Sequence, residues 1–276
     1  MKILTFDLEE WFHINNSDWI EVEQWPDLKK RIKDNTNIIL SFLRRHHLKA
    51  SFFVLGWVAE YYPELVKIIA DEGHDVGYHS YYHRIPKYQS QKEFEKDLVK
   101  GIELLKSITG KEVKYYRAPN FSLKNKWMLD CLIDHGIEVS SSIKNPIKHK
   151  GISLPDEPFV FSKGSKQIIE LPLETKHFNR LKIVFSGGGY FRILPISVLN
   201  KLFAKSEYLM LYFHPNDFDV DHPTRKELGF IRNKLNTIGT KTTLSKLEVL
   251  SDQYSFISIG QLLNQMDKNK LPVVSY

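Results

Sequence analysis

His79 and His83 stand four residues apart in the run Gly73-His74-Asp75-Val76-Gly77-Tyr78-His79-Ser80-Tyr81-Tyr82-His83. Two imidazoles at that spacing lie on one face of a helical turn. One carboxylate from elsewhere completes a three-ligand metal site with positions left open for water and substrate. The opening segment Ile3-Leu4-Thr5-Phe6-Asp7-Leu8-Glu9 offers two candidates, Asp7 and Glu9, which strand alternation places on one side. A carboxylate that binds metal beside one that takes protons is the equipment of a hydrolase.

These groups need a scaffold, and the hydrophobic pattern outlines one. Residues 2–8 read as a buried strand, 27–47 as a helix, 50–55 as a strand and 58–70 as a helix stopped by Gly73. A short strand near 75–78 leads into the histidine pair. A helix over 91–108 ends at Gly110, and strand 113–117, helix 126–135 and strand 137–142 follow. Later come a strongly apolar strand at 208–213, a helix at 225–238 and a last strand and helix within 254–266. Such alternation predicts a parallel sheet covered by helices. We expect one α/β domain over residues 1–276, a distorted (β/α) barrel of about seven strands. Asp7 and Glu9, the histidine pair, Arg117 and His214 each follow the apolar part of a different strand, and in a barrel those ends converge on one face. The interval 143–192 breaks the rhythm with Pro146, Pro155, Pro158, Pro172 and Gly187-Gly188-Gly189. It is expected to be an inserted β-rich loop region on the catalytic face.

The 276 residues, 42% of them apolar, suffice for a sizeable core. The single cysteine, Cys131, excludes an intrachain disulfide framework and reads as packing. No apolar run approaches the roughly 18 residues of a membrane span, and Asp7, Glu9 and Glu10 interrupt any leader-like start. The expectation is a cytoplasmic protein, with peripheral contact at the inner face of the membrane allowed. The net charge of +6 is uneven, because residues 143–205 carry 11 Lys and Arg against 4 Asp and Glu. That surplus is a solvated surface or a patch that meets an anion. Nucleic acid is not an expected partner, since no nucleic-acid motif or dense aromatic-basic interleaving is visible.

Four motifs in order carry a family resemblance: Thr5-Phe6-Asp7, Gly73 through His83, Arg117-Ala118-Pro119, and Leu211-Tyr212-Phe213-His214. Together they resemble the polysaccharide deacetylases, the carbohydrate esterase family named for the rhizobial chitooligosaccharide deacetylase. A subgroup associated with surface-glycan gene clusters is closer still. It is similar to Asp7-Leu8-Glu9-Glu10-Trp11-Phe12, to Gly187-Gly188-Gly189-Tyr190-Phe191-Arg192 and to His214-Pro215.

The resemblance implies a role for each residue. Asp7 is the general base, His79 and His83 ligate a divalent cation, and zinc is the expected ion. Arg117 holds Asp7, a backbone N–H at Asn120 forms half of an oxyanion hole, and His214 is the general acid. His74 is structural and Ser80 caps the local turn. Leu8 stands where the family has a second Asp, so Glu9 is the expected carboxylate ligand, with Glu10 the alternative. In a further family motif, matched here by Val139-Ser140-Ser141-Ser142-Ile143, Ser140 replaces an Asp, which leaves His214 to lean on Asp217 or on nothing, with a pKa lower than in relatives. The glycine run is expected to let backbone approach the substrate, with Tyr190 and Arg192 beside it. His13, Trp11 and Trp19 line a sugar cleft or pack in the core. The implied activity is metal-dependent removal of an N-acetyl group from an amino sugar of a surface polysaccharide or of a nucleotide- or lipid-linked precursor. A pyrophosphate-bearing substrate predicts that reversing Lys144, Lys148 and Lys150 weakens its binding more than that of a neutral sugar. The alternatives are a deformylase or cyclic-amide hydrolase on the same scaffold, and a non-catalytic glycan-binding protein.

Overall fold

The structure is a computed structural model that describes residues 1–13, 20–144, 148–149, 152–174, 176–178, 181–224 and 229–276. The first strand, β1 (Lys2–Leu8), leads to α1 (Ile32–Arg45), β2 (Ser51–Val54), α2 (Gly56–Tyr61), α3 (Pro63–Asp71) and β3 (Asp75–Tyr78). Then come α4 (Gln91–Thr109), β4 (Tyr115–Tyr116), α5 (Lys126–Asp134) and β5 (Val139–Ser140). β6 (Lys148–His149) and β7 (Ile152–Ser153) form a small hairpin, as do β10 (Lys176–Phe178) and β11 (Leu181–Ile183), and β8 (Phe159–Lys163) and β9 (Lys166–Glu170) lie between them. The remainder is α6 (Gly188–Ile193), α7 (Ile196–Lys205), β12 (Leu209–Phe213), α8 (Gly229–Thr237), α9 (Thr240–Ser251), β13 (Phe256–Ile257), α10 (Ile259–Gln265) and β14 (Val273–Ser275). No helix among the described residues is long and apolar enough to cross a membrane.

The main sheet runs β12-β1-β2-β3-β4-β5-β9-β8-β14, with β13 beside the start of β1. From β12 to β9 every pairing is parallel, which gives the seven parallel strands expected. β8 then runs antiparallel to β9, and β14 lies parallel to β8. Among the described residues β12 and β14 are not paired with each other, so the barrel is distorted and not closed by strand pairing. The Tyr208 hydroxyl donates to the Pro172 carbonyl at 2.8 Å and ties the start of β12 to the chain just past β9.

Alternation along β1 sorts the core into two layers. Leu4, Phe6 and Leu8 point outward and join the large cluster that packs against the helices. Ile3 points inward and meets Phe53, Val139, Ile169 and Met210, with Ile259 and Leu262 of α10 in the same inner cluster. Thr5 and Asp7 continue the inward row toward the carboxyl ends of the strands.

Four expectations change. The helix read over 58–70 is two, because Pro63 lacks the N–H that would continue α2 and instead opens α3. The interval 143–192 is less separate than expected, since β8 and β9 extend the main sheet. α7 and α9 went unread, α9 because its apolar residues follow only a weak period. The helix read over 225–238 begins at Gly229 in the described residues, and 225–228 lie outside them.

Candidate metal and proton-transfer site

The carboxyl ends of the strands bring the charged residues together. Asp7 and Glu9 are buried on the inward side of β1, at 2% and 1% exposure. Glu10 faces the other way. Its Oε1 accepts the backbone N–H of Arg31 at 2.8 Å and of Ile32 at 3.0 Å, and so caps the start of α1, where the N-cap residue Arg31 makes no side-chain cap bond. Glu9 alone of the two meets the histidines. Glu9, His79 and His83 each bring a ligand atom within 4.8 Å of the others.

His79 emerges where β3 ends, with its N–H bonded to the Val54 carbonyl at 3.0 Å. Its Nδ1 lies 2.8 Å from the Arg117 carbonyl, so the proton sits on Nδ1 and Nε2 keeps a lone pair for a ligand. The helical turn expected for the pair is absent. Residues 79–84 form a loop in which Ser80 and His83 take left-handed φ of 68° and 54°. Such backbone costs about 1–3 kcal/mol per residue and persists only where its surroundings hold it. Asp97 of α4 does much of the holding. Its carboxylate accepts the Tyr78 hydroxyl at 2.7 Å, the Tyr81 N–H at 3.0 Å and the Ser80 hydroxyl at 3.3 Å. The Ser80 oxygen accepts the Arg84 N–H at 3.2 Å, which is the local capping expected of it. Nothing near Asp97 in sequence signals this role.

Arg117 is fully buried and spends its donors on the site. Nη1 donates to Asp7 Oδ1 at 2.6 Å and to the Thr5 hydroxyl at 2.9 Å, and Nη2 donates to the Ser141 hydroxyl at 3.0 Å. His214 faces the same carboxylates, with Nε2 3.3 Å from Glu9 Oε1 and 3.9 Å from Asp7 Oδ2. Its Nδ1 is 3.3 Å from Asp217 Oδ2, which also accepts the His214 backbone N–H at 2.8 Å.

The protonation states follow. Burial acts to raise the Asp7 carboxyl, but Arg117, His79 and His214 outweigh it and hold the pKa below its ordinary value. Burial pushes Glu9 up to about 8. Burial acts to lower His214, yet Asp217, Glu9 and Asp7 prevail and lift it to about 9. His79 is lowered and His83 is held well below its ordinary value, both chiefly by burial. Two neutral imidazoles thus adjoin a buried carboxylate whose Oε2 has no hydrogen-bond partner. An orphaned carboxylate oxygen against two nitrogen lone pairs is a donor set that fits a divalent cation.

Other expected residues lie elsewhere. Arg192 is buried behind Asp217. Its Nε sits 3.1 Å from Asp217 Oδ1 and donates to the Gly188 carbonyl at 3.2 Å, while Nη1 and Nη2 donate to the carbonyls of Asn236 and Leu235. Tyr190 is half exposed on α6. The glycines make room for the protein's own side chains. A Cβ on Gly187 would fall 1.8 Å from the Tyr212 ring and one on Gly188 2.4 Å from the Asp217 carboxylate, whereas Gly189 has open space. Asn120 is exposed with φ 56°, on the turn between Ala118 and Phe121. Trp11 is core, its Nε1 donating to the Lys29 carbonyl at 2.9 Å. His13 is buried among Phe12, Trp25 and Trp57, and its Nδ1 accepts the Glu10 N–H. Trp19 lies outside the described residues.

Comparison with known proteins places the first half of the chain. Residues 4–140 match the polysaccharide deacetylase family. This half of the chain is a polysaccharide deacetylase domain. Residues 141–264 match a domain of unknown function, DUF3473, so the deacetylase match supplies Asp7 through Arg117 and the second match contains His214. A peptidoglycan deacetylase of Helicobacter pylori is 35% identical over 105 residues, covering 38% of this chain and 36% of the relative. A peptidoglycan-N-acetylglucosamine deacetylase of Bacillus cereus is 40% identical over 94 residues, covering 34% of this chain and 32% of the relative. The matches thus span about a third of the length of these curated relatives. A Mycobacterium smegmatis structure assigned to the polysaccharide deacetylases aligns over 100% of this chain and 92% of its own, with TM-score 0.69 and 18% identity. A family 4 carbohydrate-esterase pseudoenzyme from Bacillus anthracis aligns over 100% of this chain and 69% of its own, with TM-score 0.54 and 16% identity. The fold is therefore shared with a pseudoenzyme and does not by itself decide activity.

Proposed function

We propose that the chain is a metal-dependent hydrolase that removes the acetyl group from an N-acetylated amino sugar. The observation that carries the reading is the convergence of Asp7, Glu9, His79, His83, Arg117 and His214 at one end of the sheet. Both curated relatives are named as peptidoglycan deacetylases, which supports an amino-sugar substrate. Glu9, His79 and His83 would hold the cation, with zinc favoured by two imidazole donors. Such a cation polarises a carbonyl oxygen and acidifies water. Asp7, kept ionised by Arg117, takes a proton from the attacking water. His214, kept protonated by Asp217, gives a proton to the departing amine nitrogen, so that water and amide become acetate and free amine. The Asn120 N–H is the proposed backbone donor to the oxyanion.

The test is zinc content by elemental mass spectrometry, together with acetate release from a tetramer of N-acetylglucosamine. We expect about one zinc per chain and a loss of at least 10²-fold in kcat for Asp7→Asn. Undiminished acetate release by Asp7→Asn would sink the reading.

An anionic substituent on the substrate is the finer part of the proposal. Lys144 has its Nζ 5.2 Å from the Phe121 ring, and burial lowers its pKa against the opposing pull of the Asp7 charge. Arg117 lies on the same ring, its guanidinium carbon 5.1 Å from the centroid, so the ammonium stands at the mouth of the site. Lys144→Gln should raise KM about tenfold for a nucleotide-linked N-acetylamino sugar and leave KM for the neutral tetramer unchanged. Equal losses on both would remove the anion from the proposal. The side chains of Lys148 and Lys150 lie outside the described residues.

A further inference from the structure

Glu170 is a buried carboxylate that the mechanism does not use. Glu170 ends β9 and is fully buried, and its register partner on β5 is Ser140. Its Oε1 accepts the backbone N–H of Ser142 at 2.7 Å and of Ile143 at 2.9 Å. Its Oε2 has no hydrogen-bond partner among the described residues. A carboxylate carried into a barrel interior costs free energy, and two N–H groups on a single oxygen offset only part of that cost.

The turn that Glu170 grips touches both halves of the reacting machinery. Ser141 accepts Arg117 Nε on its carbonyl at 3.3 Å and Arg117 Nη2 on its hydroxyl at 3.0 Å. Arg117 thus stands between Ser141 on one side and Asp7 on the other. The Ser142 hydroxyl accepts the Ala118 N–H at 2.9 Å and is itself reached by the Ser140 hydroxyl at 2.9 Å. Ala118 begins the turn in which Asn120 and Phe121 take left-handed φ of 56° and 52°. Asn tolerates that backbone but Phe does not prefer it, so two such residues in succession need outside support. The support runs from Glu170 through the Ser142 and Ile143 amides to the Ser142 hydroxyl and on to Ala118.

We propose that Glu170 is a positioning residue whose carboxylate, by fixing the 140–143 turn, sets both the Arg117 guanidinium behind Asp7 and the Ala118–Phe121 turn that presents the Asn120 N–H. The role is one of reach, since Oε1 must span from β9 to two amides on the neighbouring turn. Glutamine offers the same oxygen at the same distance. Aspartate keeps the charge but falls one methylene short.

The kinetic arm of the test rests on the deacetylase reading, and an exchange arm does not. Wild type, Glu170→Gln and Glu170→Asp are compared as the zinc-loaded full chain on the N-acetylglucosamine tetramer. Hydrogen–deuterium exchange is followed in peptides spanning 116–123 and 140–144. Glu170→Asp should lose about tenfold or more in kcat with KM within threefold, because small misplacements of positioned groups are costly. Its exchange at Ala118, Ser142 and Ile143 should quicken. Glu170→Gln should stay within threefold of wild type in both readouts. Ser142→Ala, which removes the acceptor of the Ala118 N–H and leaves Glu170 in place, should reproduce the kcat loss and carries the test should Glu170→Asp not fold. The proposal falls if folded Glu170→Asp keeps the wild-type kcat, if only KM moves, if Glu170→Gln is as impaired as Glu170→Asp, or if exchange at Ala118 is unchanged. A zinc-loaded wild type that releases no acetate overturns the deacetylase reading instead, and the exchange arm then decides the role of Glu170.

Discussion

Glu9 and Glu10 are adjacent in sequence and chemically alike, yet their environments assign them opposite tasks. Glu9 adjoins two imidazoles, whereas Glu10 closes the N-terminus of α1. Glu9→Gln should therefore lose bound zinc in elemental analysis and keep the fold. Glu10→Ala should keep zinc and lose about 1–2 kcal/mol in denaturant unfolding, the usual range for a lost helix cap. Strand alternation already favoured Glu9, but the fate of Glu10 depended on where the chain returned some 20 residues later, which no local pattern reveals. His214 carries a pH signature. Its pKa of about 9 in the folded chain exceeds the ordinary 6.5, so its stabilising contribution is complete below pH 6.5 and is lost as pH rises through 9. In chelator-treated protein, Asp217→Asn should bring the imidazole titration, followed by NMR, back toward neutrality and flatten that part of the stability profile. An unchanged midpoint would show that Asp217 is not the partner that charges it. The motifs pointed to the acid but not to how Asp217 is braced, because Arg192 reads in sequence as a substrate contact and in space stands behind Asp217.

Elements were legible where period and punctuation agreed. α4 combines a clear apolar period with a Ser90–Glu93 capping box and Gly110 at φ 69°, and its bounds match the sequence reading closely. The two-residue strands β4 and β5 were harder, because their ends are set by pairing with neighbours rather than by their own residues. The glycine run at the start of α6 shows what motif reading misses. Gly187 and Gly188 lie against the Tyr212 ring and the Asp217 carboxylate, while Gly189 faces open space, so each position makes a different demand. Gly188→Ala should press on the Asp217 carboxylate, displace it from His214 and lower kcat about tenfold or more. Gly187→Ala meets the Tyr212 ring and should destabilise the fold by about 1–3 kcal/mol. Gly189→Ala should be nearly silent in both assays, and a loss as large as that of Gly188→Ala would return the run to a substrate-facing role.

At the scale of the whole molecule, α/β alternation announced a parallel barrel, and the seven parallel strands agree. What it could not announce was the open seam, because β8 and β14 join the sheet through an antiparallel pairing within a stretch that looked like an insertion. A cation bound by the native state alone stabilises the entire fold by mass action, about 2.7 kcal/mol at a free concentration 100 times Kd. Calorimetry should accordingly show chelator lowering the thermal midpoint by several degrees for a chain of this size. Glu9→Gln should be indifferent to it, and an equal response would place the cation elsewhere. The position of β1 has a consequence for how the protein is made. Its hydrogen-bonding partners along β12 lie some 206 residues further on, as between Thr5 and Leu211. At roughly 5–20 residues per second, on the order of 10–40 s of translation separate the two strands. Through that interval one edge of β1 stays bare beside the ribosome, with Asp7 and Glu9 still open to water. The nascent chain thus holds both carboxylates long before it holds the histidine that would work against them, and under the proposed mechanism a polypeptide released before residue 214 should free no acetate.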